Sequence, residues 1–201
     1  QSDFEIKLNE YTLKLYKKYK KIELEPIQIF IYKIYELDTD ILADLDYNEI
    51  TGYLKYNNFS KLLNIVPIFT DINKDNTLGI TTLFKDDYKI FNVFYNYYTE
   101  QGVDKFYMYY NGKLTEDIIN TFNKPNVKLI EWNYRYWNDK KIKYRHHAQI
   151  GQIHDSLYRY AKPYCSHIIY CDLDEYLNIS NKTIKELMIE NKNIDIFQFL
   201  N

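Results

Sequence analysis

Arginine, glycine and alanine are all scarce in this chain. Arg135, Arg145 and Arg159 are its only arginines, and glycine occurs 5 times in 201 residues. Lysine carries the remaining positive charge, and tyrosine, asparagine and isoleucine are heavily used. This bias is expected of an AT-rich coding genome, as in some large DNA viruses and some bacteria. It concerns codons rather than function, and a balanced base composition in the coding gene would remove it. Cysteine is also rare. Cys165 and Cys171 read as small, buried, apolar residues of a reducing compartment, which makes the cytoplasm (host cytoplasm for a viral source) the expected location. One is expected at a helix end and one in a strand, so no disulfide is expected between them. No apolar run approaches the roughly 18 residues of a membrane span. Neither charge sign is in excess: the formal net charge of -2 leaves no footprint for nucleic acid or an anionic membrane. There are no internal repeats. The chain opens on Gln1 and stops at Asn201 directly after an apolar run, so a fragment of a longer protein is expected.

What is present suffices for a real core. Hydrophobic residues make up 46% of the chain, and a chain this long buries roughly 70% of its unfolded surface. The first 76 residues read as a mixed α/β extension. Residues 3–21 place Leu8, Tyr11, Leu15 and Tyr19 on one face of an amphipathic helix. Beyond Pro26, the alternating Ile27, Ile29 and Ile31 predict a strand. Residues 38–63 read as short helices and Val66–Phe69 as a short apolar piece. The turn-rich stretch 70–77 predicts a boundary, with a second domain over 77–201.

From Leu78 the pattern becomes regular. Strands are predicted at Leu78–Phe84, Lys105–Tyr110, Val127–Glu131, His167–Cys171 and Ile194–Leu200. Between them, Asp87–Glu100 carries Ile90, Phe94, Tyr97 and Tyr98 at helical spacing and stops at Gly102. Thr115 caps a helix with Glu116 and Asp117 in its first turn, ended before Pro125. A polar, aromatic loop spans 133–146. His147–Ala161 is apolar at 150, 153, 157 and 161, with Pro163 as its stop, and Thr183 with Glu186 forms a capping box. Strand–helix alternation predicts a mostly parallel sheet with helices on both faces, whose ligands sit at the carboxyl ends of the strands.

The richest motif lies at such an end, in His167-Ile-Ile-Tyr-Cys-Asp-Leu-Asp-Glu-Tyr-Leu177. Strand period 2 puts Asp172 and Asp174 on one side and Leu173 on the other. Two adjacent carboxylates repel and call for a cation. Hard oxygen ligands suit Mg²⁺ or Mn²⁺, which keep waters and bridge to substrate phosphates, and a departing diphosphate needs that neutralisation. Alone, an Asp-x-Asp is equally an exposed turn; an apolar strand before it favours a site. Asp86, Asn111 and Asp172 each stand just beyond a predicted strand end.

Several segments, in order, resemble the GT-A glycosyltransferases, specifically glycosyltransferase family 92 and similar family-2-like enzymes. Thr81-Thr-Leu-Phe-Lys-Asp86 resembles their first strand and its acidic follower. Tyr97-Tyr-Thr-Glu-Gln-Gly-Val-Asp-Lys-Phe-Tyr-Met-Tyr-Tyr-Asn111 resembles a later stretch, and Val127–Trp132 the next strand. His146-His-Ala-Gln149 resembles the start of the helix before the motif, and Asp172-Leu-Asp-Glu-Tyr-Leu177 the Asp-x-Asp-Glu motif itself. The resemblance runs from near Thr77 to the end and implies a GT-A, Rossmann-like fold. It implies Asp174 as the direct metal ligand, with Asp172 at the ribose or the metal shell and Mn²⁺ or Mg²⁺ as cofactor. It also implies Lys85 and Asp86 near the nucleotide, Asn111 in the same cleft and Gln149 in the nucleotide or sugar pocket. The implied reaction is inverting transfer of a hexosyl group from a nucleotide-sugar, most often UDP-linked, to a hydroxyl of a glycan, protein or lipid.

Other polar and aromatic residues keep open readings. His146, His147 and Arg145 sit where a phosphate would be in reach, but solvent exposure suits them equally. His154 and His167 read as structural. Trp132, Tyr134, Tyr136 and Trp137 suit stacking on a base or sugar, or packing. Glu175 is a candidate to orient the aspartates. An inverting enzyme needs a general base, which in GT-A enzymes follows the Asp-x-Asp region; none is identifiable, because the chain ends soon after. Two rivals follow. One is a non-catalytic nucleotide-binding or structural module derived from such an enzyme. The other is a haloacid-dehalogenase-type phosphatase, with the first aspartate as nucleophile; that motif usually opens its fold, whereas three strands are predicted to precede it here.

Overall fold

The structure is a computed structural model. It describes the backbone of six strands between residues 5 and 64, and it describes residues 74–136, 147–194 and 196–199, with side chains for all of these except 147. Contacts divide the chain into two compact units, Gln1–Ile68 and Phe69–Asn201.

The described part of the first unit consists of strands. β1 (Glu5–Leu8), β2 (Tyr11–Lys14), β5 (Thr51–Tyr56) and β6 (Phe59–Asn64) form an antiparallel sheet in the order β2-β1-β5-β6. β3 (Lys17–Leu24) pairs with β4 (Ile27–Lys33), the strand expected from its alternating isoleucines. The amphipathic helix expected over 3–21 is therefore replaced by β1, β2 and the start of β3. Ile6, Leu8, Tyr11 and Leu13 fit a two-residue period as well as a helical one, and the pairing of β1 with both β2 and β5 decides between them. The second half of the stretch expected to be short helices is β5 and β6; residues 34–50 and Val66–Phe69 lie outside the described residues.

The second unit is α/β. β7 (Leu78–Phe84), β8 (Lys105–Tyr110), β9 (Val127–Glu131) and β10 (His167–Tyr170) make an all-parallel sheet in the order β10-β7-β8-β9. The chain builds outward from β7 to β9, then returns to place β10 on the other side of β7. The sheet's switch point, where such folds bind ligands, thus lies between β7 and β10.

One face of this sheet is covered by α1 (Phe91–Glu100), α2 (Glu116–Thr121) and α4 (Ile184–Glu190). Its core joins Ile80, Phe84, Phe106 and Met108 of the strands to Phe91, Phe94, Tyr98, Ile118, Phe122 and Met188. Phe122 stacks on Phe91 at 4.0 Å and on Phe84 at 4.7 Å between ring centroids, and burying each such ring contributes about 1.5–3 kcal/mol. The buried stripe of α1 is Phe91, Phe94 and Tyr98. Ile90, expected in that stripe, lies in the 3-10 turn before the helix and is exposed. Gly102 ends α1 at φ 86°. A Cβ there would stand 2.6 Å from Lys185 Cβ on α4, so the stop signal also permits close helix packing. Thr115 caps α2, and Thr183 with Glu186 forms a reciprocal capping box on α4.

The opposite face is covered by α3 (His147–Ser156), which continues through a wider π turn, Leu157–Ala161, into Lys162–Tyr164. Pro163 does not stop this helix as expected. The π turn ahead of it takes up the missing N–H, and Cys165 N closes on Ala161 O at 2.9 Å. The residues α3 buries are mostly small or polar: Ala148, Gly151, Gln152 and Ser156. Ile153, expected inward, is exposed. Close approach on this face rests on Gly79, where a Cβ would meet Cys165 Sγ at 2.8 Å. Both cysteines are free thiols.

The strand expected at Ile194–Leu200 is absent from its described residues, which omit 195 and 200. His167 Nε2 lies 3.3 Å from Ile194 O, a side-chain contact where a ladder bond would be needed, and Ile196 is 83% exposed. Alternating apolar residues specify a strand only where a neighbouring edge receives them. No helix among the described residues is long and apolar enough to cross a membrane.

Candidate functional site

Beyond β10 the chain turns sharply. Glu175 N donates to Asp172 O at 3.1 Å, and Asp172 N donates to the Glu175 carboxylate at 2.8 Å. Leu173 is driven into the core, while Asp172, Asp174 and Glu175 are exposed. The expected strand alternation is thus realised as a turn over Leu173 and Asp174, with the apolar residue as its anchor.

Tyrosines of α1 hold this turn. The Tyr98 hydroxyl, fully buried, donates to Glu175 O at 2.9 Å and accepts from Leu177 N at 3.2 Å. Cys171 Sγ approaches the same hydroxyl at 3.6 Å. Tyr97 donates to Leu177 O at 2.7 Å, and its ring meets that of Tyr176 edge-on at 5.0 Å. Burial pushes the Cys171 thiol up to about 12, opposed by the Tyr98 hydrogen bond. It is therefore a protonated, inert packing group at neutral pH.

The electrostatics of the turn are one-sided. Burial first, then the charges of Glu175, Asp174 and Asp87, raise the Asp172 carboxyl above its ordinary range. Among the described residues no lysine or arginine forms an ion pair with Asp172 or Asp174. Burial and the Asp172 charge also raise the Tyr136 phenol, which brings the loop after β9 into the neighbourhood of the aspartates.

A pocket of about 300 Å³ opens beside the turn. Its walls are Thr81, Thr82 and Leu83 at the end of β7, Gln149, Gln152 and Ile153 of α3, and Tyr170, Cys171, Asp172 and Glu175. It lies at the switch point. Of the residues singled out in the sequence, Asp172, Gln149 and Glu175 share it. Lys85 and Asp86 follow β7 and are exposed, and neither lines it. The neighbouring Asp87, which the sequence did not mark, is the one whose charge reaches Asp172. Asn111 follows β8, and its amide donates to Trp132 O and Tyr134 O at 2.8 Å each, so this group clamps the loop after β9. Trp132 is buried and donates to Ala148 O at 2.9 Å, a packing role that ties the same loop to α3. His167 is at the edge strand, and Arg145, His146 and Trp137 lie outside the described residues, as does the side chain of His147. Sequence reasoning missed Tyr98, Thr81, Thr82 and Gln152. Aromatic residues at helical spacing signal a core and say nothing of where a hydroxyl ends.

Among the described residues no three His, Cys, Asp or Glu side chains converge into a complete metal cage. The donor set does fit an ion that takes one or two carboxylates and leaves its other positions to water and phosphate. Asp172 and Asp174 supply hard oxygens, close enough to repel and, among the described residues, without a basic side chain paired to them.

No curated protein and no solved structure matches the chain. The family model for glycosyltransferase family 92 matches residues 74–199, which covers the parallel sheet, its helices and the aspartate turn. The chain, whose α/β unit has a Rossmann-like GT-A architecture, belongs to glycosyltransferase family 92, and its chemistry is glycosyl transfer rather than phosphate-ester hydrolysis.

Proposed function

We propose that the α/β unit binds a nucleotide-sugar, UDP-linked, together with Mn²⁺ or Mg²⁺, and transfers the hexosyl group with inversion to a hydroxyl of a glycan, protein or lipid. The observation that carries this reading is the group of mutually repelling carboxylates at the switch point, held by α1 beside an open pocket. Asp174, exposed at the tip of the turn, and Asp172, at its base, would hold the ion. A divalent cation there supplies charge neutralisation to the departing diphosphate. The chain's own contribution is preorganisation: Tyr98 and Tyr97 fix the turn before ligand arrives, so little reorganisation remains for the reaction itself. Lys85 and Asp86, beyond β7, would meet the nucleotide outside the pocket, and Gln149 lines the pocket from α3. Asn111 would act indirectly, by holding the loop that carries Tyr136.

The test is calorimetric titration of UDP, GDP, UDP-glucose, UDP-galactose and GDP-mannose into the protein with Mn²⁺ and again with chelator. Binding of a uridine ligand that chelator removes, and that Asp174→Ala abolishes without loss of fold, is the expected result. A folded protein that binds none of them would reassign the unit to a non-catalytic module of this family.

A further inference from the structure

Gln152 is an anomaly on the α3 face. It is 2% exposed, in a helix packed on the sheet, and among the described residues its side chain makes one hydrogen bond: its amide nitrogen lies 2.7 Å from Thr81 Oγ1. Glutamine is rarely so buried unless its polar atoms are used. The polarity of this contact follows from chemistry. Thr81 Oγ1 donates its only proton to Tyr107 O at 2.9 Å, because a carbonyl can only accept. Towards Gln152 it can therefore only accept, which forces the NH₂ of Gln152 onto Thr81. The Gln152 carbonyl oxygen is turned away from that contact, and among the described residues no donor reaches it. Gln152 lines the pocket beside Asp172, whereas the side chain of Thr82, in register with Met108, lies on the apolar face of the sheet.

Three acceptors stand in the lining, the carboxylates of Asp172 and Glu175 and the carbonyl oxygen of Gln152, beside the amide of Gln149 and the hydroxyl of Tyr170. A pyrimidine base presents mainly carbonyl oxygens, which such a wall repels. A sugar ring presents several hydroxyls, each able to donate. Resting on the donor reading above, we propose that this pocket takes the sugar ring of the donor, and that Gln152 is a specificity-determining residue whose fixed carbonyl oxygen accepts from a ring hydroxyl.

A purely structural glutamine predicts something different, and two ligands separate the cases. The full 201-residue protein is titrated with UDP and with UDP-glucose and UDP-galactose, all with Mn²⁺, for wild type and Gln152→Met, which keeps length and packing. The expected result is unchanged UDP affinity, at least roughly ten-fold weaker binding of the better nucleotide-sugar, as for loss of a buried hydrogen bond, and a collapsed preference between the two sugars. Equal losses for UDP and nucleotide-sugar, or no loss for either, overturn the assignment. Should the variant not fold, deoxy analogues of the better donor sugar replace it. One ring position must then matter to the wild type, and equal affinity for every deoxy analogue overturns the assignment. Wild-type protein that binds no UDP with Mn²⁺ fails the donor reading itself, a result distinct from all of these, and the assignment falls with it.

Discussion

The two faces of the parallel sheet are built from different materials. The face under α1, α2 and α4 is phenylalanine, methionine, isoleucine and tyrosine, packed ring on ring. The face under α3 buries Gly79, Thr81, Gln152 and Ser156, together with Tyr107 and Tyr109. On that face Tyr109 donates to Asp155 at 2.7 Å, and Arg159 pairs with the same carboxylate at 3.1 Å. Apolar burial stabilises without direction, whereas polar groups inside a protein stabilise only when each finds a partner. The apolar face supplies stability. The polar face costs stability wherever a partner is missing. The lesson is a division of labour: the turn that carries the aspartates is anchored from the apolar side and opens to a pocket walled by the polar side.

That division can be broken most severely at Phe91. Phe91→Ala should cost about 3–5 kcal/mol of stability, read from urea denaturation, while metal-dependent ligand affinity at temperatures where the protein remains folded stays near wild type. Equal damage to both would show that the faces are not separable. Tyr98→Phe sharpens the comparison. Removing the hydroxyl leaves Glu175 O and Leu177 N without their partner, a loss of about 1–3 kcal/mol, and here the Mn²⁺-dependent affinity should fall as well because the turn loosens. Stability lost with affinity intact would mean that the turn is fixed by other contacts.

The acid limb adds a test of sign. Because the Asp172 carboxyl is raised above its unfolded value, the folded protein holds this proton more tightly than the unfolded chain. Its contribution to metal-free stability is fully present below the ordinary carboxylate range and is lost as pH rises through the raised folded value. Mn²⁺ needs the ionised form, so its affinity should decline as pH falls through that same raised value, in a window above the usual aspartate range. Titrations of Mn²⁺ against pH, compared between wild type and Asp172→Asn, check both signs. The smallest effect is expected at Thr82. Thr82→Val removes a buried hydroxyl that has no partner among the described residues, so thermal stability should hold or rise by up to about 1 kcal/mol. A clear loss of stability would show that the hydroxyl is satisfied in the native protein.

Much of the second unit is legible in its residues. Runs such as Leu78–Phe84 and Lys105–Tyr110 are too apolar for an exposed position and too short for a helix. Thr115, Thr183 with Glu186, and Gly102 mark helix ends by local hydrogen bonding or by a positive φ, which needs no tertiary context. The aspartate turn is legible too, as acidic residues directly after an apolar strand. Other readings failed where two periods fitted the same residues, as over 3–21, or where a strand needed an edge to pair with, as at Ile194–Leu200. Asn111 illustrates a subtler limit. Its position after β8 could be read from the sequence, but the use of its amide to hold Trp132 O and Tyr134 O could not, because those carbonyls come from a loop some twenty residues away.

Local chemistry, then, determined the alternation of strands and helices after Leu78, the caps, and the acidic motif at a strand end, since each depends on neighbours within a few residues. Tertiary structure alone decided the strand order that puts the switch point between β7 and β10, the hold of Tyr98 on the turn, and the orientation of Gln152. Each of these joins groups far apart in the chain, and a hydrogen bond between them exists only once the sheet has brought both ends to the same place.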